Sequence, residues 1–336
     1  MKVNLNILII ISIIILIFIL VFRLYRINNN NTENFETIGN SNYNSNTDKI
    51  AFLFLTYNNL KRPDIWNKFF DIDNSSSNSS NSSNSSNSSN SSNSSNTSNT
   101  SKYSNKYNIY LHAKEPEKVT DFILRGKQIP EHIETCWGCF GTIEANIMMM
   151  KEALKDTLNK KFILVSESCI PIVPFDKFYS KVMTDEKSRI NIHSNNNLER
   201  YDNIINLPFP KNEFTKHSGQ GLIFNRQYAH LLINSLNEFK YTWQNMNSVD
   251  EHYFGNILRI LDPDFNSSVS LNKTTFDIWS KDDLDTNKIN DDDIVTDSYI
   301  NIKKISNNAI DELRDKNFIL ARKVDTNTEI DIHYIV

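Results

Sequence analysis

KFILVSESCIPI, residues 161–172, is the stretch around which the rest of the chain is organised. Phe162, Ile163, Leu164 and Val165 form an apolar run too short for a helix and rich in strand formers. The run breaks into Ser166-Glu167-Ser168-Cys169, and Pro171 forbids a long continuation. An apolar run bounded in this way predicts a strand buried on both faces. Ligands in open α/β sheets collect beyond the carboxyl ends of such strands, so the Ser-Glu-Ser lip is the first candidate surface. A capped strand end with solvated polar residues has the same pattern, and spacing alone leaves both readings open.

Outward from this strand, IAFLFLT at 50–56 and YNIYLH at 107–112 repeat the buried-strand pattern. Between them, residues 58–70 predict a helix with Trp66, Phe69 and Phe70 turned inward. Ile143, Ile147, Met150 and Leu154 recur at spacings that put them on one helical face, and residues 175–183 predict a further helix. Strand and helix in alternation predict an α/β fold, a mostly parallel central sheet with helices on both faces. Further on, GLIFN at 221–225 reads as a strand and residues 227–239 as a helix with Tyr228, Leu232, Leu236 and Phe239 inward. Residues 248–261 predict another helix, and 318–321 a last strand.

The flanks differ sharply from this core. The stretch Val3–Tyr25 is almost all Ile, Leu, Val and Phe, interrupted by Asn4, Asn6, Ser12 and Arg23. It predicts a signal-anchor transmembrane helix over residues 5–25 behind a short tail at 1–4, with no A-x-A cleavage pattern after it. Lys2 stands on one side and Arg23 and Arg26 on the other, a distribution that favours the body on the cytoplasmic side. Polar residues 26–48 read as a flexible stem. An Asn-Ser-Ser repeat from Asn74 to about Asn99 holds no apolar residue, so a disordered insertion is expected over 73–105. Because strand-like sequence resumes at Tyr107, the insertion interrupts one domain, 49–325, and leaves 326–336 as a tail. With a net charge of −4 the 336 residues offer no basic footprint for nucleic acid.

Several residue sets can carry chemistry. The cysteines are Cys136, Cys139 and Cys169. A zinc site needs a second pair, and a redox Cys-x-x-Cys should open a helix straight after a strand. Cys136 and Cys139 therefore read as a local disulfide or plain thiols. The Asp-x-Asp triplets Asp71/Asp73, Asp262/Asp264, Asp283/Asp285 and Asp291/Asp293 do not end apolar strands and read as solvated charge, so no metal site is expected. Ser248 followed by Glu251 ahead of an apolar run has capping-box spacing. The competing reading makes Asp250-Glu251 a carboxylate pair facing a cleft, one of them a general base. Lys216-His217-Ser218-Gly219-Gln220-Gly221 is a Gly-bearing turn that lets backbone approach a ligand, or an ordinary loop. Arg322-Lys323 beside the last strand can neutralise a diphosphate leaving group, or is surface charge.

In order along the chain, KIAFLFLT (49–56), YNIYLHA (107–113), WG (137–138), FILVSESCIPIVPF (162–175), RY (200–201), KHSGQGLIFNR (216–226), DEHYF (250–254), NKTTFDIW (272–279) and ILARKVD (319–325) resemble the core-2/I-branching glycosyltransferase family, family 14, most closely its plant-type branch. The resemblance runs from Lys49 to Asp325 and is weak between about 280 and 315. It implies a GT-A-like fold, a single-pass type II Golgi membrane protein with a lumenal catalytic domain, and inverting transfer from a nucleotide sugar without a metal. That orientation is opposite to the one the charge distribution favours.

Site residues follow from the same resemblance. Glu251 corresponds to the catalytic base, with UDP-N-acetylglucosamine as donor, a glycan or glycoprotein as acceptor and a β-linked branch as product. Lys323, with Arg322 beside it, grips the diphosphate; the counterpart of a second basic contact falls among Lys281, Lys288, Lys303 and Lys304 and is not assigned. The uracil lies near Thr56 and His112, while Ser166 and Glu167 complete the donor side. Trp137, Ser218, Gly219, Gln220 and Asp250 fall on the acceptor or sugar side. Animal members carry His-Val-Asp where this chain has His112-Ala113-Lys114, and they carry more cysteines. Transfer of xylose or another UDP-sugar, an inactive membrane-anchored glycan-binding protein and a redox role for Cys136 and Cys139 are the competing readings.

Overall fold

The computed structural model describes residues 48–72, 101–193, 198–202, 204, 210–278, 289–290, 292–297 and 301–336. The expected anchor, the stem and the Asn-Ser-Ser repeat lie outside the described residues, and no described helix is long and apolar enough to cross a membrane. In chain order the elements begin with β1 (Lys49–Thr56), α1 (Pro63–Phe69), β2 (Tyr107–Ala113), α2 (Phe140–Ala153), β3 (Asn159–Ser166), β4 (Ile170–Pro171) and α3 (Phe175–Met183). Next come β5 (Ser188–Arg189), β6 (Ile192–His193), β7 (Lys216–His217), β8 (Ile223–Asn225), α4 (Arg226–Trp243), α5 (Tyr253–Leu261) and α6 (Phe265–Ser268). The last are β9 (Val269–Ser270), β10 (Thr275–Asp277), β11 (Ile294–Thr296), β12 (Ile302–Ile305), α7 (Asn307–Asp315), β13 (Leu320–Arg322), β14 (Val324–Glu329) and α8 (Ile332–Ile335).

The central sheet has the order β2-β1-β3-β8-β5-β9. β2, β1 and β3 run parallel, with Phe52 opposite both Ile109 and Ile163, whereas β8 is antiparallel to β3 and to β5. The fold is thus mixed α/β around a multi-strand sheet, consistent with a GT-A-like arrangement. Alternate side chains of β1 and β3 point to opposite faces. Ala51, Leu53, Phe162 and Leu164 pack on one face with α2, α4 and α5. Ile50, Phe52, Phe54, Ile163 and Val165 pack on the other with α1 and α3. There Phe52 meets Trp66, Phe69 and Phe70 edge to face, at 6.0, 6.1 and 5.0 Å between ring centroids. Such pairs add about 0.5–1.5 kcal/mol each beyond the area they bury.

Element ends depart from the pattern for identifiable reasons. α1 starts at Pro63, whose missing N–H is harmless in a first turn. Asn225 caps α4 by accepting from the Tyr228 N–H at 2.8 Å, so that helix starts at Arg226, and it ends at Trp243, four residues beyond the expected 239. β8 starts only at Ile223 because Gly221 has φ +74°, and a Cβ there would lie 2.0 Å from Thr275 Oγ1. The expected helix 248–261 is broken: a 3₁₀ turn spans Val249–Glu251 and α5 begins at Tyr253. Residues 101–105, placed inside the insertion from sequence, pack on the body, with the Tyr103 ring stacked 4.3 Å from Phe175. The end of the chain is likewise folded rather than a tail: Thr328 accepts from Arg62 Nη1 at 2.8 Å, and Ile335 is fully buried.

Candidate functional site

Because β1, β2 and β3 are parallel, Thr56, Ala113 and Ser166 end at the same edge of the sheet. The lip after β3 is held from below by Trp66, whose indole N–H donates to the Cys169 carbonyl at 2.9 Å. Glu167 turns toward the loop after β1. Its Oε2 accepts from the Tyr57 N–H at 2.6 Å, its carbonyl accepts from the Lys61 N–H at 2.9 Å, and Lys61 Nζ stands 4.0 Å from Oε1. Thr56 is buried and donates to the Asn58 carbonyl at 2.9 Å. The Ser166 hydroxyl lies 3.3 Å from that of Ser168 and 3.1 Å from the Cys169 sulfur.

His112 is fully buried: Nε2 accepts from the Ile133 N–H at 2.9 Å and the ring stacks on His132 at 5.1 Å. Burial, with the nearby His132, lowers its pKa to about 4, so the ring is neutral with the proton on Nδ1. That Nδ1 has no partner among the described residues.

A second set of residues closes the site from the other half of the chain. Ser248 adopts φ +54° and its side chain makes no cap bond, so the capping-box reading of Glu251 does not hold. A left-handed residue cannot hold the extended backbone that an N-cap needs. Glu251 pairs instead with Lys216, Oε2 to Nζ at 3.2 Å. Its neighbour Asp250 lies against Gly219, where an added Cβ would fall 2.8 Å from Oδ2. Burial, and then the charge of Glu251, push the Asp250 carboxyl above its usual range. Ser218 donates to Asp277 Oδ2 at 2.5 Å, and Asp277 is the register partner of Arg322 in the parallel β10–β13 pair. The Val324 N–H donates to the Ser168 carbonyl at 2.9 Å, which brings Lys323 to the lip after β3.

The charges in this cluster act on one another. Lys323 keeps an exposed side chain. Partial loss of solvent and the adjacent Arg322 lower its pKa, while Glu251, Asp250 and Asp277 pull the other way. His252 is 1% exposed, its Nδ1 is 2.6 Å from the Tyr201 hydroxyl, and burial followed by His217, Arg200 and Lys216 lowers its pKa to about 3. One wall of the site is therefore a neutral imidazole, and the charge is carried by carboxylates and cations.

Trp137 is 89% exposed, on a turn closed by the Cys136–Cys139 disulfide. The Gly138 carbonyl accepts from the Val249 N–H at 3.3 Å, which ties that turn to the segment bearing Glu251. Of the acceptor-side candidates, Ser218, Gly219 and Gln220 are buried in the wall, and only Trp137 and Asp250 reach solvent. Lys303 pairs with Asp297 at 3.3 Å and Asp325 at 2.7 Å, whereas Lys281 and Lys288 lie outside the described residues. Asp262 accepts from the Tyr228 hydroxyl at 2.7 Å, a packing role for that Asp-x-Asp. Reasoning from sequence placed Lys216 at the head of the Gly-bearing turn and Asp277 in the NKTTFDIW motif but gave neither side chain a role of its own. Asp277, a lone carboxylate at the end of TTFD, carried a faint signal; Lys216 carried none.

A family model, Core-2/I-Branching enzyme, matches residues 88–313, a range that holds β2, β3 with its lip, and Glu251 but neither β1 nor Lys323. The chain belongs to the core-2/I-branching enzyme family. A curated relative, Glycosyltransferase BC10 of Oryza sativa subsp. japonica, is 23% identical over 190 residues. That match covers 55% of this chain and 40% of the relative, so less than half of the relative's length is represented. The folded chain brings Glu251, Lys323 and the lip after β3, all far apart in sequence, near one another.

Proposed function

We propose that this protein is an inverting, metal-independent glycosyltransferase with a GT-A-like fold. It transfers a sugar, with N-acetylglucosamine from its UDP derivative as the leading donor, to a hydroxyl of an acceptor glycan and forms a β-linked branch. The observation that carries this reading is Glu251, released from helix capping, paired with Lys216 and close enough to Lys323 to act on its charge. The family match supports glycosyl transfer as the reaction class.

In this mechanism Glu251 accepts the proton of the acceptor hydroxyl as that oxygen bonds to the anomeric carbon. The bond from that carbon to the diphosphate oxygen breaks, and the electron pair leaves with the diphosphate beside Arg322 and Lys323. Charge neutralisation is what such a leaving group needs, so one carboxylate suffices. The buried Nδ1–H of His112 and the Thr56 end of β1 form the base-binding side, with Ser166 and Glu167 between it and the cations. Trp137 and Asp250 receive the acceptor. The protein acts as a type II Golgi membrane protein anchored by residues 5–25.

Full-length protein supplied with a panel of UDP-sugars and acceptor glycans, with and without EDTA, tests the reading. Transfer of N-acetylglucosamine that EDTA leaves unchanged is expected; EDTA-sensitive transfer contradicts the metal-free account. Preference for xylose changes the donor, and binding without turnover reduces the protein to a lectin. Glu251→Gln should lose about 10²–10⁴-fold in turnover with folding intact.

A further inference from the structure

Among the described residues, two asparagines stand in an Asn-x-Ser/Thr sequence without a central proline, Asn266-Ser267-Ser268 and Asn272-Lys273-Thr274. Sequence treats the two alike, and the fold separates them. In the first, both hydroxyls have structural partners: Ser267 donates to the Asp264 carbonyl at 2.8 Å, and Ser268 bonds to the Tyr228 hydroxyl. In the second, Thr274 is 4% exposed and its backbone is engaged. Its N–H donates to Asn191 Oδ1 at 3.1 Å, and its carbonyl accepts from the Ile319 and Leu320 N–H groups at 2.8 and 3.1 Å. Its hydroxyl is buried with no partner among the described residues. A buried hydroxyl without a hydrogen bond costs stability, and valine fills the same space without that cost. The fold therefore supplies no reason for a hydroxyl at this position.

Asn272 is the opposite case. It lies exposed on the bend between β9 and β10, beside Leu271, which is 51% exposed. β9 is the last strand of the central sheet, so a group attached to this bend projects past the sheet's outer edge. Asp277 stands at the other end of β10, so the site cluster is left clear. We propose that Asn272 is an N-glycosylation site, and that the Thr274 hydroxyl serves recognition by the modifying enzyme rather than the fold. The donor class is a lipid-diphosphate-linked oligosaccharide. Asn272 Nδ2 bonds to its anomeric carbon and loses one proton. The bond from that carbon to the diphosphate oxygen breaks, and the electron pair leaves on the lipid diphosphate. Because Thr274 is buried in the finished fold, transfer precedes folding. Such a modification requires the lumenal catalytic domain of a type II membrane protein, and so rests on that reading.

The test makes full-length protein by cell-free translation with endoplasmic-reticulum microsomes, with translation lacking microsomes as the blank. Glycans are removed with peptide N-glycosidase in H₂¹⁸O, which turns a glycan-bearing asparagine into aspartate carrying ¹⁸O, and the peptides are sequenced by mass spectrometry. Label at Asn272 above the blank is expected, with complete loss in Thr274→Val. An unlabelled Asn272 beside labelled asparagines of the Asn-Ser-Ser repeat overturns the proposal and keeps the lumenal orientation. No label at any asparagine overturns both. Urea unfolding of deglycosylated protein should give Thr274→Val a midpoint no lower than that of the wild type. A lowered midpoint would return the hydroxyl to the fold and overturn its recognition role.

Discussion

Ser218 donates a 2.5 Å hydrogen bond to Asp277, and Asp277 lies directly across from Arg322 in the β10–β13 pair. One contact thus joins the loop that follows Lys216 to β10, the neighbour of the strand that ends in Arg322. Both partners are buried, Ser218 completely. Ser218→Ala removes a charge-assisted bond worth about 1.5–3 kcal/mol. Chemical denaturation should register that loss together with a raised donor KM. Unchanged values in both would show that the loop and the cations are independent.

Lys323→Ala should weaken donor binding and transfer together. Loss of one charge-assisted contact to a diphosphate corresponds to roughly tenfold or more in donor affinity. Calorimetry with UDP alone isolates this from chemistry. A variant altered only in thermal stability would remove Lys323 from the diphosphate.

Trp137→Ala should leave stability within about 0.5 kcal/mol, because an almost fully exposed side chain supports no core. An aromatic face on a sugar ring contributes about 1 kcal/mol, so the acceptor KM should rise roughly fivefold while donor hydrolysis is unchanged. Equal acceptor KM values would take the acceptor away from this turn.

Acid should unfold the protein through its buried histidines. The folded-state pKa values of His252 and His112, about 3 and about 4, lie below the ordinary 6.5. The unfolded chain therefore binds more protons between those values and 6.5, so stability rises with pH across that window and is lost as pH falls through it. Each histidine contributes on the order of 1 kcal/mol per pH unit there. His252→Asn should flatten the dependence of unfolding free energy on pH between about 4 and 6. A slope equal to that of the wild type would show that His252 is free to protonate in the fold.

Much of the frame was legible in the chain. The runs at 50–56 and 162–165, with the helical spacing of Ile143, Ile147 and Met150, mark residues that are indeed buried on the two faces of the sheet. Periodicity records burial, and burial of a strand or a helix face is set by residues a few positions apart. Errors cluster where a single backbone angle intervenes. The left-handed Ser248 splits the helix predicted for 248–261, and Gly221 delays β8.

The opening stretch, KFILVSESCIPI, determined by itself a buried strand with a polar lip at its carboxyl end, because apolar runs and breakers act locally. The ordered motifs around it determined the family. What the lip does was decided by tertiary structure: Glu167 is taken up by the Tyr57 N–H, while charge enters the site from Glu251 and Lys323. Where Lys216 stands to meet Glu251 depends on the pairing of β6 with β7, made by residues that lie before and after the segment 194–215. Such contacts have no local period, and only the folded chain brings them together.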